Sequence, residues 1–143
     1  MKRAGHPSPL GDPTTGVALV VELPAGPRIL EALRASLSSI GLPEAYVTFA
    51  GTGLLKEELL AAQPDTLVAV GPGAARDLDA LNYPLSRTGF SEAEEGLPFA
   101  WTSATTGLLL PPLAPALDDD THKRRFWRCF LSLKGLANHK DPH

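Results

Sequence analysis

Three short apolar runs, each followed by a turn and then by apolar residues at helical spacing, organise the first half of the chain. Val17-Ala18-Leu19-Val20-Val21 is continuous and rich in β-branched residues, the pattern of a strand buried on both faces. Pro24, Gly26 and Pro27 turn the chain, and Ile29, Leu30, Leu33, Leu37 and Ile40 then recur three to four apart, as on one side of a helix. Gly41 followed by Pro43 predicts the stop of that helix. Ala45 to Ala50 reads as a second strand, and Leu54, Leu55, Leu59, Leu60 and Ala62 as a second helix ended at Gln63-Pro64. Thr66-Leu67-Val68-Ala69-Val70 is a third strand, which Gly71-Pro72-Gly73 turns into a third helix through Ala74, Leu78 and Leu81.

This alternation predicts an α/β fold, a mostly parallel sheet with helices on both faces, joined by right-handed crossovers. Residues 82–98, with Glu92, Glu94 and Glu95, read as a polar surface connection. Pro98 to Thr102 is a fourth strand and Thr106 to Leu110 a short fifth. A closing helix is predicted from about Asp119 to Lys134, with Gly135 as its stop. Acids at its start suit the macrodipole. Phe126, Trp127, Phe130, Leu131 and Leu133 fall on one apolar stripe, leaving a cationic face outward. The expected organisation is a flexible arm over 1–16, one α/β domain over 17–136 and a disordered tail over 137–143.

Composition narrows the class. With 143 residues, 43% hydrophobic and 20% charged, the chain is long enough for one domain with a substantial core. A net charge of −3 argues against a dedicated, strongly basic nucleic-acid binder but leaves room for a local patch. One Cys excludes a disulfide framework and a thiolate zinc site. No run reaches the ~20 apolar residues of a membrane span, and Lys2 and Arg3 are not followed by the apolar core of a signal peptide. We expect a soluble cytoplasmic protein, with no membrane partner.

The candidate chemistry is sparse. Gly71-Pro72-Gly73 stands where a doubly wound fold can cradle phosphate on backbone amides, but the GxGxxG spacing is broken at Arg76, and Pro72 lacks an N–H. A tight structural turn is the better reading. The four histidines, His6, His122, His139 and His143, have no ligand spacing within one element, so neither a metal nor another cofactor is expected. Cys129 lies among the aromatic positions of the closing helix and reads as a buried thiol. Lys123, Arg124, Arg125 and Arg128 form a cationic patch able to meet phosphates or a protein partner; its plain alternative is a solvated helix face offset by Asp118, Asp119 and Asp120. No catalytic residue is assigned.

The ending is the most distinctive part. Pro111 and Leu113 stand before a polar turn, Thr121, a basic helix and Trp127, while Leu23-Pro24 and a Leu-rich helix follow the first strand. Over about residues 17–134 this resembles the psi subunit of the bacterial DNA polymerase III clamp-loader complex. The resemblance implies a three-layer α/β/α fold, similar to mononucleotide-binding proteins but without nucleotide chemistry. It also implies a non-enzymatic adaptor that pairs with a chi subunit and so links the clamp loader to single-stranded DNA-binding protein. Family members grip the clamp-loader collar with an N-terminal extension of aromatic and basic residues. Here that segment offers Lys2 and Arg3 but no aromatic residue.

Two other readings stay open. A DNA-binding or base-processing domain of uracil-DNA glycosylase type would use Arg124, Arg125 and Arg128 on phosphates. The string His6-Pro7-Ser8-Pro9-Leu10 looks like that family's DNA-probing loop, but lies at the wrong end of the chain and lacks the early water-activating Asp motif. A small-molecule enzyme would use the turn at Gly71–Gly73.

Overall fold

The computed structural model describes residues 11–12, 15–22, 27–42, 44–49, 55–81, 89–102, 104–113 and 115–140. In chain order the elements are β1 (Val17–Val21), α1 (Pro27–Ser39), β2 (Tyr46–Phe49), α2 (Leu55–Ala62), β3 (Thr66–Val70), α3 (Pro72–Ala80), β4 (Phe99–Ala100), β5 (Thr106–Leu110) and α4 (Asp120–Lys140). The five strands form one sheet in the order β2-β1-β3-β5-β4. β1 pairs in parallel with β2 and β3, β3 in parallel with β5, and β4 antiparallel with β5. The fold is a three-layer α/β/α arrangement, as the β-α alternation predicts.

Strand periodicity divides the core into two layers. Leu19, Val21, Val68, Val70, Leu108 and Leu110 pack with Leu33 and Leu37 of α1 and with Phe126, Phe130 and Leu133 of α4. Ala18, Val20, Leu67 and Ala69 face the other way, against Leu59 of α2 and Ala74, Ala75 and Leu78 of α3. The chain moves one way across the sheet through α1 and back through α2 and α3. Right-handed crossovers therefore put these helices on opposite faces. α1 ends as predicted. Gly41 adopts φ +83°, its N–H reaches Ser38 O at 3.1 Å and the Leu42 N–H reaches Leu37 O at 2.8 Å, a Schellman closure.

Four expectations are corrected. Of the 82–98 segment, residues 82–88 lie outside the described residues, and the remainder is not simply a polar surface connection. Phe90, in a 3-10 turn (Phe90–Glu92), is fully buried and packs edge-on against Phe99 and Trp101, at centroid distances of 5.0 and 5.6 Å. The Asp79 carboxylate holds that turn by accepting the Phe90 and Ser91 N–H groups at 2.7 and 3.0 Å. The fourth strand is only two residues long; beyond it Trp101 enters the core, and its N–H turns back to Thr105 O at 3.1 Å.

The closing helix does not stop at Gly135 but runs to Lys140, into the segment read as tail. Gly135 keeps helical backbone there, because Leu136 and Ala137 continue the helix, whereas Pro43 stands two residues after Gly41; a mid-helix glycine costs only about 1 kcal/mol. Finally, the end of the expected arm is tied down. The Asp12 N–H donates to Glu44 O at 2.8 Å, and Gly16 O accepts from Asp65 and Thr66 N–H at 2.8 and 3.0 Å. Lys2, Arg3, His6 to Leu10, and Leu23-Pro24 lie outside the described residues. No helix among the described residues is long and apolar enough to cross a membrane.

Candidate functional site

In open α/β sheets the characteristic ligand crevice lies at the carboxyl ends of strands where the strand order reverses. Here that point falls between β1 and β3. Gly71 ends β3 with its N–H on Leu110 O at 3.0 Å. It adopts φ +95°, ψ +158°, a conformation open essentially to glycine alone. Pro72 takes the first turn of α3, where its missing N–H costs nothing. The Gly73 N–H, the amide a phosphate would seek, donates instead to Glu22 Oε1 at 2.6 Å. A Cβ on Gly71 would lie 2.4 Å from the Glu22 carboxyl carbon, and one on Gly73 2.7 Å from Oε1. Glu22, the residue directly after β1, therefore seats its own carboxylate on the N-terminus of α3. Glu22 is absent from the residues that motif and spacing single out. Its signal was position alone, an acid one residue past a strand beside a Gly-Pro-Gly turn.

The second candidate is α4. Asp119 is its N-cap: Oδ1 accepts the Thr121 N–H at 3.2 Å, and its backbone carbonyl accepts the Lys123 N–H at 2.9 Å. Oδ2 accepts from His122 Nδ1. The His122 hydrogen bond, followed by the Thr121 amide, holds the Asp119 carboxyl below the usual aspartate range. A depressed carboxyl contributes stability that is present above its unfolded value of about 4 and is lost as pH falls through the lower folded value. The stability gap between wild type and Asp119→Asn should therefore be widest above about pH 4 and close on further acidification, read by urea denaturation across pH.

The apolar stripe divides. Phe126, Phe130 and Leu133 are buried. Trp127 and Leu131 are exposed, at 38% and 42%. At about 100° per residue, they lie one step round from the buried positions. The Trp127 ring stacks on Phe130 (5.6 Å, 25°), and Phe130 on Phe126 (5.6 Å, 19°). Trp127 and Leu131, expected on the apolar stripe, stand at its open edge.

The four predicted cations also divide. Arg125 is held by Glu95. On the same flank Ser132 Oγ donates to Gly96 O at 2.7 Å, and Gly96 packs so closely on Cys129 that a Cβ would come 3.0 Å from Sγ. Cys129 is half-buried, and that burial pushes its thiol up. Lys123, Arg124 and Arg128 are exposed, as is Lys134, absent from the predicted patch; at about 100° per residue Lys123, Arg124 and Lys134 lie on the Trp127 side, and Arg128 lies between that side and Arg125. None of these four is in an ion pair among the described residues. The offset expected from the Asp run is thin, because Asp118 pairs with Arg28 at 3.2 Å and Asp119 with His122.

Among the described residues, no three His, Cys, Asp or Glu side chains gather as a metal-binding group. Fold and sites together define an α/β/α scaffold with a carboxylate at its switch point and an aromatic, cationic edge on its last helix. No family model matches the chain, and no curated protein matches it.

Proposed function

We propose that this chain is a non-catalytic adaptor subunit of the DNA replication machinery, binding a chi-like subunit and the clamp loader. The observation that carries this reading is Glu22 at the switch point, 2.6 Å from the Gly73 N–H. An anion belonging to the chain itself sits where this fold class offers amides to a phosphate, so a nucleotide phosphate would meet like charge. The sheet then serves as a scaffold for surfaces rather than as a nucleotide site. The closing stretch supports the same reading. Leu113 packs into the core with residues of α1 and α4, so the motif that carries the resemblance to psi anchors the closing helix on the sheet.

The test is affinity purification of the tagged full chain from its native cells, followed by reconstitution with the purified candidate partner. A chi-like subunit should co-purify in stoichiometric amount and form a complex that survives gel filtration, as expected of an interface of about 800 Å² per partner. Recovery of neither a chi-like nor a clamp-loader protein would overturn the reading.

A further inference from the structure

We propose that the open edge of α4 binds single-stranded nucleic acid directly, with Trp127 as a stacking platform and Lys123, Arg124, Arg128 and Lys134 as phosphate contacts. This goes beyond the adaptor reading and does not depend on it.

Two independent features converge. The first is the ring. Trp127 is 38% exposed, yet Phe130 stacks against it at 5.6 Å and 25°, and Phe130 is itself fully buried. A large flat ring is thereby held against the core with part of its surface left to solvent. Bases stack on such rings with little regard to sequence, because every base has a π-face.

The second feature is the charge around the ring. Lys123 and Arg124 lie one turn before it, Arg128 beside it and Lys134 two turns beyond, together spanning about 16 Å of helix. None has a carboxylate partner among the described residues. On this side, Asp120 at the helix start is the nearest acid in sequence, and it is exposed.

The composition of the edge favours a nucleic acid over a protein segment. The centre of a protein interface is depleted in lysine and in charged residues other than arginine, and covering four cations would require desolvating each of them. The apolar surface beside Trp127 amounts to little more than Leu131. A single strand needs no such burial, since its phosphates meet the cations at the rim while one base covers the ring. The chain's overall net charge of −3 makes this a local, modest-affinity contact, suited to a subunit that other contacts hold near its strand.

The experiment is fluorescence anisotropy of the full chain with labelled oligo-dT of about 16 nucleotides, with intrinsic tryptophan fluorescence recorded in parallel. Trp101 is buried, so quenching reports on Trp127. Four phosphate contacts at a log–log slope of about −0.7 each give a total near −3, hence roughly a 50-fold loss of affinity between about 50 and 200 mM salt. Trp127→Ala should weaken binding by about 5- to 150-fold, while Trp127→Phe should retain most of the affinity and lose the quenching. Arg128→Gln should reduce the slope by about 0.7. Arg125→Gln, whose guanidinium Glu95 already holds on the other flank, should leave binding within about twofold, since no phosphate contact is lost.

All these positions are exposed, and circular dichroism confirms folding of each variant. The proposal fails if oligo-dT does not bind at low salt, or if Trp127→Ala and the Lys123→Gln/Arg124→Gln/Arg128→Gln variant both bind as wild type does. It also fails if blunt duplex binds more tightly than oligo-dT, or if poly-L-glutamate quenches Trp127 and oligo-dT does not. Failure of the partner purification alone leaves this result unaffected, and the reverse holds too.

Discussion

Replacing Phe130 with alanine should remove about 3–5 kcal/mol of stability, measured as a lower urea midpoint with an unchanged slope. Phe130 is fully buried and stacks with both Phe126 and Trp127. It sits in the same cluster as Leu108 and Leu110 of β5 and Leu33 and Leu37 of α1. Deleting the ring opens a cavity where a helix, two further aromatic rings and the sheet meet, and β5 cannot move to fill it while it stays paired with β3. Domains of this size have about 5–15 kcal/mol in all, so a loss of about 3–5 kcal/mol is at least about a fifth of the total. Phe130→Leu keeps most of the volume and should cost under about 1.5 kcal/mol. The alanine variant should also lose oligo-dT affinity, because Trp127 loses the ring behind it. A loss below about 1 kcal/mol for Phe130→Ala, far under the range for a buried ring, would mean that α4 is not docked as described.

The second large effect is expected at Gly71. Gly71→Ala should cost about 3–5 kcal/mol, combining a backbone conformation worth about 1–3 kcal/mol of strain for any L side chain with disruption of the charged hydrogen bond from Gly73 to Glu22. The backbone there stands at φ +95°, ψ +158°, and the new Cβ would lie 2.4 Å from the Glu22 carboxyl carbon. The two causes separate in a double-mutant cycle. In a Glu22→Ala background the steric part disappears and only the conformational part remains, so Gly71→Ala should cost about 1–3 kcal/mol there. Equal costs in both backgrounds would show that Glu22 does not occupy the switch point in solution.

Much of the fold could be read along the chain because its signals are local. The run Val17–Val21 has no polar face, so only a central position with cover on both sides suits it, and it pairs with β2 and β3. Gly41 stops its helix because it takes positive φ with Pro43 two residues on. Gly135 shows the limit of that rule, since nothing in its own identity distinguishes it from Gly41. Phe90 was hidden for a related reason. An isolated aromatic in a polar stretch has no period, and only the Asp79 carboxylate, eleven residues away, brings it into the core.

The candidate sites were less legible still. Four cations within six residues are visible in sequence, but which of them is engaged depends on where Glu95 lies, thirty residues from Arg125. Helical spacing admits Trp127 to the apolar stripe as readily as Phe130. Their difference in burial is set by the rotation of α4 about its axis, which turns Phe126, Phe130 and Leu133 into the core and leaves Trp127 at the edge.

The order of β1 to α3, the mostly parallel sheet and the two-faced core were thus legible along the chain, because periodicity and turn chemistry act between residues close in the chain. It took the packed fold to seat Glu22 on the Gly73 amide, to engage Arg125 and to leave Trp127 open beside cations that have no ion-pair partner among the described residues. Each of these depends on contacts between segments far apart in the chain, and such contacts leave no pattern in the local order of residues.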